Sequence, residues 1–185
     1  MVPGIRFIEE FPQFQNLFEK LYLKRELDTW YKEVCKQKLE LPEKLNQINV
    51  IKNIKIQDNF SPSAHIYIDL EDKCGAEGFI FRQRINLLIS KIIPVFKMDY
   101  LYLVKHNSLV GELGTFGSPQ ETFEALQAKE QIMNLFKTNN YIQLTEYDLH
   151  DTIYEWKELK LEPFDRRLTL DYAVFYDALE LCEDS

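Results

Sequence analysis

His65-Ile66-Tyr67-Ile68-Asp69-Leu70-Glu71 alternates without a fault between polar and apolar side chains. Successive side chains of a strand point to opposite faces. Ile66, Ile68 and Leu70 therefore line a buried face, and His65, Tyr67, Asp69 and Glu71 a wet one. Upstream, Ile48, Val50, Ile54 and Ile56 share one parity and predict a neighbouring strand, joined through the turn Phe60-Ser61-Pro62-Ser63. Downstream, Lys73 to Gly78 is a second turn. Phe81, Ile85, Leu88, Ile89 and Ile92 then fall at helical spacing and predict a helix stopped by Pro94. Tyr100–Val104 and Leu109–Leu113 predict a hairpin closed near His106-Asn107-Ser108.

Helical signals flank this centre. Phe14 to Lys38 contains no Gly or Pro and carries two apolar stripes on opposed sides, which predicts either a break near Leu23 or two differently buried halves. Ser118-Pro119-Gln120-Glu121 has the form of a capping box before a helix bearing Phe123, Leu126, Met133 and Phe136, ending near Asn139-Asn140. Tyr141 to Leu144 is a short extended piece. Thr145 and Asp148 predict the cap of a further helix over Glu146 to Leu159. Leu168 to Leu181 reads as a strand running into a terminal helical turn. This order of elements predicts an α+β class: a mainly antiparallel sheet packed with several helices, in a single domain over residues 1–185.

The composition excludes several function classes. With 13 Phe, 10 Tyr and 2 Trp in 185 residues, the chain is too aromatic to be disordered. No apolar run approaches the ~18 residues that span a bilayer. A net charge of −8 argues against a nucleic-acid binder, whose affinity rests on Lys and Arg. The three cysteines, Cys35, Cys74 and Cys182, are few, odd and far apart. They predict neither a disulfide framework nor a zinc site. Met1 to Glu10 lacks the apolar core of a signal peptide. The expected compartment is the reducing cytoplasm.

The charge is unevenly placed. Residues 1–110 carry a net +2 and residues 111–185 a net −10. On the helix predicted after Thr145, Asp148, Asp151, Glu155 and Glu158 form one stripe opposite Leu149, Ile153 and Trp156. Lys157 lies off that stripe. An acidic ridge of this kind suits a basic protein partner, and Tyr147 and Tyr154 beside it are interface-prone residues. Such a ridge is also what a solvated helix face looks like.

Signals for chemistry are sparse. His65, His106 and His150 are isolated, and neither GxSxG nor HExxH occurs. Gly111, Gly114 and Gly117 form a GxxGxxG that matches no phosphate loop, with no Lys after it. Asp58, Asp69, Glu71 and Lys73 outline a metal-dependent hydrolase or nuclease. Acid-x-Lys also occurs at Glu155/Lys157 and Glu158/Lys160, about as often as composition alone yields.

In bulk profile, being small, acidic and aromatic-rich, the chain is similar to bacterial toxin-immunity proteins. The likeness is one of composition, with no matched motif, so no family residue carries over. The expected function is a non-enzymatic, neutralising protein binder that engages a basic partner through Asp148, Asp151, Glu155, Glu158, Tyr147 and Tyr154. No cofactor, metal, nucleic acid or membrane is expected to take part. The alternative is the hydrolase built on Asp58, Asp69, Glu71 and Lys73.

Overall fold

The alternating stretch is β2 (Ser63–Leu70), with Ile66, Ile68 and Leu70 sealed from solvent as their parity predicts. The computed structural model describes residues 5–108, 110–118, 121–155, 159 and 167–182. Around β2 lie β1 (Ile51–Gln57), β4 (Phe79–Ser90), β5 (Val95–His106) and β6 (Leu113–Gly117), all antiparallel, in the order β1-β2-β4-β5-β6. β3 (Lys73–Cys74) pairs with the start of β4, and β7 (Ile142–Gln143) runs parallel to the start of β5. β8 (Thr152–Glu155) and β9 (Arg167–Thr169) form a second, two-stranded sheet. The class is α+β with a mainly antiparallel sheet, as expected. Among the described residues no helix is long and apolar enough to cross a membrane.

The predicted helix at 81–92 is instead the central strand β4. Leu87, Leu88, Ile89 and Ser90 are all buried, because helices cover both faces of the sheet at this end. Burial on both faces erases the period-2 pattern and leaves apolar spacings that imitate a helix. The predicted hairpin is present with its second arm displaced: β5 is longer than the predicted first arm, and β6 starts at Leu113, where the predicted second arm ended; Leu109 lies outside the described residues.

The sheet divides two cores. On one face, Ile66, Ile68, Leu70, Ile85, Leu87, Ile89, Phe96, Met98 and Tyr100 pack against α4 (Phe123–Thr138) through Ala125, Ala128, Ile132 and Phe136. Thr122 caps α4, its Oγ1 accepting the Ala125 N–H at 3.1 Å, so the cap lies four residues past the predicted Ser118. Ser118 N–H still donates to Glu121 Oε1 at 3.0 Å; Pro119 and Gln120 lie outside the described residues. Phe123, predicted on the same helix as Leu126, Met133 and Phe136, is exposed, whereas Phe136 is buried.

On the other face, Leu88 and Val95 meet α1 (Ile5–Glu10), α2 (Gln15–Phe18), α3 (Asp28–Lys36) and α6 (Leu170–Phe175). The break predicted near Leu23 is present. α2 loosens into a π-turn over Glu19–Leu23, and Arg25 takes a left-handed φ of 58° before α3 starts. The Arg25 guanidinium holds Asp28 at 2.8 Å and fixes that corner.

The C-terminal segment is tied to this layer. The buried Tyr22 hydroxyl donates to Ala173 O, Tyr31 to Tyr176 O and Ser63 to Phe175 O. Cys35 and Cys182 form a disulfide with Cα atoms 6.0 Å apart, while Cys74 is free and exposed. This corrects the expectation that the cysteines are unpaired, and removes their count as an argument for a reducing compartment. Lys91 lies nearby with its side chain only 4 % exposed, 2.6 Å from Asp58 Oδ1.

The helix predicted over 146–159 is cut short. α5 (Glu146–Leu149) is a single turn with the predicted Thr145/Asp148 capping box, and the chain then becomes β8. Thr152, Ile153 and Tyr154 are β-branched or aromatic, and β9 gives them a partner. The single-helix ridge of Asp148, Asp151, Glu155 and Glu158 does not form. Trp156, Lys157 and Glu158 lie outside the described residues.

Candidate functional site

Acidic residues from three elements converge where α5 and α6 meet β5. Asp148 is used structurally: its carboxylate accepts the Thr145 N–H at 2.7 Å and the Thr145 hydroxyl at 2.6 Å. Asp151 Oδ2 accepts the Phe7 N–H at 3.2 Å, and Asp151 O accepts the Leu170 N–H at 2.8 Å. One residue thus fastens α1 and α6 to the turn after α5. Partial burial raises the Asp151 pKa, with Asp148 adding to the rise and the Phe7 N–H and Arg6 opposing it. Glu155 stands exposed on β8 opposite Arg167 in the β8–β9 register.

Asp99 of β5 and Asp171 of α6 extend the group. Lys97 Nζ lies 3.4 Å from Asp171 and 5.8 Å from the centre of the Phe175 ring. Burial raises the Asp99 pKa first; Lys97 pulls it down, and Glu146 and Asp171 push it up. Glu146 is 3.9 Å from His150, with both side chains 76 % exposed. Tyr147 projects between these acids at 84 % exposure, and the Tyr172 and Tyr176 rings stack at 5.4 Å. Beside Tyr147 opens a cleft of about 370 Å³ that includes Phe11, Ile142, Glu10 and Asp148 in its walls, with Arg6 at one side. Of the six predicted contact residues, Tyr147, Asp148 and Asp151 are brought together around α5. Tyr154 and Glu155 sit on the neighbouring strand, and Glu158 is outside the described residues. Asp99 and Asp171 were missed because their nearness depends on a sheet register and a helix placement that no local spacing encodes.

The charge crowding has a measurable consequence. A carboxyl whose folded pKa is raised binds protons more readily in the native than in the unfolded state, so its contribution to stability falls as pH rises. Asp99→Asn is therefore expected to raise Tm at pH 7. The gain should shrink as pH falls through the raised folded value and disappear below the ordinary carboxyl range near ~3.9. A variant no more stable than the parent at pH 7 would contradict this electrostatic picture.

The rest of the same sheet face is polar and paired. Lys52–Asp72 (2.8 Å), Arg82–Asp72 (3.7 Å) and Arg82–Glu112 form a chain of ion pairs, with Arg84–Asp69 (2.7 Å) beside it, around a cleft of about 420 Å³. The four residues of the hydrolase alternative are dispersed. Asp58 pairs with Lys91, Asp69 with Arg84, and Lys73 with Glu124 at 2.6 Å. Asp58 and Asp69 lie at opposite ends of the β1–β2 ladder. Glu71 follows β2 on the surface. Among the described residues no group of three His, Cys, Asp or Glu is placed to hold a metal ion. Two of the three glycines of GxxGxxG have packing roles. A Cβ on Gly114 would stand 2.7 Å from Leu103 Cδ2, and one on Gly117 2.7 Å from the Tyr102 ring, so both admit β5 side chains against β6.

No family model, curated protein or solved structure matches the chain.

Proposed function

We propose that the chain is a non-enzymatic protein binder that engages a basic partner through the acidic surface around Tyr147, a neutralising role of the immunity type. The observation that carries this reading is the convergence of three elements in which Glu146 of α5 and Asp171 of α6 come close enough to raise the pKa of Asp99 on β5. These three carboxylates set up a local negative potential, which speeds and orients the approach of a cation. Tyr147 adds an exposed aromatic with few rotatable bonds, the kind of side chain that anchors interfaces. The adjoining cleft is lined by Phe11 and Ile142 together with Glu10 and Asp148, groups that suit the stem and head of a Lys or Arg, and by Arg6, which opposes a cation at its own side.

The test is binding of a fluorescent decalysine peptide at low ionic strength. Glu146→Lys combined with Glu155→Lys is expected to weaken binding about tenfold, with the difference vanishing as salt shortens the screening length to ~3 Å near 1 M. Tyr147→Ala should leave Tm unchanged while weakening capture of a folded basic protein. Unaltered peptide binding by the double reversal would overturn the reading.

A further inference from the structure

The two edges of the main sheet are built differently. β1 carries Lys52 and Lys55 and an irregular register between Ile51 and Asn53, which are devices that discourage edge pairing. β6 has none of them. Leu113-Gly114-Thr115-Phe116-Gly117 contains no charge and no proline, with Leu113 66 % and Phe116 71 % exposed. Val110 just before it is fully exposed. The inner edge of β6 is committed to β5, and among the described residues no strand pairs with its outer edge.

We propose that β6 is a homodimer interface, pairing antiparallel with β6 of a second copy about a two-fold axis at Thr115. In that register Phe116 faces Gly114 of the partner subunit and Leu113 faces Gly117 of the partner subunit. Each large side chain then lies against the β5 side chain that already fills its glycine's face, Leu103 at Gly114 and the Tyr102 ring at Gly117. Moving the axis to Gly114 would set the Glu112 carboxylate, already held by Arg82, against Phe116. Of these two registers, the one centred on Thr115 keeps Glu112 away from Phe116. An isologous pairing of this kind closes on itself and consumes both open edges. Leu113 and Phe116 together leave roughly 250–300 Å² exposed, so two copies bring about 500–600 Å² including backbone, the scale of a weak, concentration-dependent dimer. The surface is distinct from the acidic patch, and neither reading depends on the other.

The experiment is light scattering after gel filtration over a wide range of loading concentration, with two variants. The wild-type chain is expected to pass from monomer to dimer. Thr115→Lys, which sets two ammonium groups side by side on the axis, should remain monomeric with Tm unchanged. Thr115→Cys in a Cys74→Ser background should form a disulfide-linked dimer under mild oxidation, since residues facing each other across an antiparallel pair have Cα atoms within ~5.5 Å. Lys55→Cys, on the other edge, should not. A wild-type chain monomeric up to about 1 mM, corresponding to no more than ~4 kcal/mol of association, would overturn the proposal. So would undiminished dimerisation of Thr115→Lys, or a Thr115→Cys variant that links no faster than Lys55→Cys.

Discussion

Replacing Lys91 by methionine is expected to lower stability by about 3–5 kcal/mol, the usual cost of stranding one member of a buried ion pair. The Lys91 and Asp58 side chains are 4 % and 6 % exposed and 2.6 Å apart. Lys91 Nζ also donates to Cys35 O at 3.1 Å and Asn59 O at 3.4 Å, and Asp58 Oδ2 accepts the Leu39 N–H at 2.6 Å. One ammonium thus holds the end of α3 and the turn between β1 and β2. Removing it leaves a carboxylate in a site that water reaches poorly, with two carbonyls losing a charged donor. A compensating Asp58→Asn in the same chain should recover much of the loss, which separates the stranded charge from lost packing. Urea denaturation reads both as shifts in midpoint at constant slope. By contrast, Lys52→Ala, which breaks the exposed pair with Asp72, is expected to cost less than about 1 kcal/mol. Equal effects for Lys91 and Lys52 would contradict the description of the Asp58 site as buried.

Opening the Cys35–Cys182 disulfide has the second large expected effect. The two residues are 147 positions apart, so the bridge closes nearly the whole chain into a loop. In the chain-entropy description a loop of this size gives about 4–5 kcal/mol, and native disulfides deliver about 2–5. Cys182→Ser should lower stability by an amount in that range without dispersing the fold. Tyr22 and Ser63 still hold carbonyls of α6, Tyr31 holds that of Tyr176 just after it, and Asp177 Oδ2 still accepts the Cys182 backbone N–H. The expected signature is faster amide exchange confined to α6 and the residues after it, with the main sheet protected. Titration of the non-reduced, unfolded protein should find one thiol, that of Cys74. Three thiols would contradict the pairing.

How much of this the sequence revealed depended on how local each determinant is. β2 was legible because one of its faces stays partly wet, so its period-2 pattern survives intact. The Thr145/Asp148 capping box and the end of α4 near Asn139 were legible because caps are decided within four residues. β4 imitates a helix because burial on both faces at Leu87–Ser90 removes the polar half of its alternation. The helix after α5 was overextended because acidic i, i+3 and i, i+4 spacings suggested a stripe, whereas the strand-forming Thr152-Ile153-Tyr154 found its partner at Arg167–Thr169, beyond any local window. The cysteines failed for the same reason, since nothing in their spacing reports a contact across 147 residues. The charge excess was legible as a quantity. Its shape was not, because Asp99 enters through β5 and Asp171 through α6.

Amide chemical-shift mapping of the ¹⁵N-labelled chain with unlabelled decalysine reads out the acidic surface formed by β5, α5 and α6. Saturable, salt-sensitive shifts are expected at residues 97–99, 145–151 and 170–176, lost together in the Glu146→Lys, Glu155→Lys chain. Shifts scattered over the surface, or gathered on α4 and the β1–β2 edge with residues 145–151 silent, would contradict a binding role for that acidic surface.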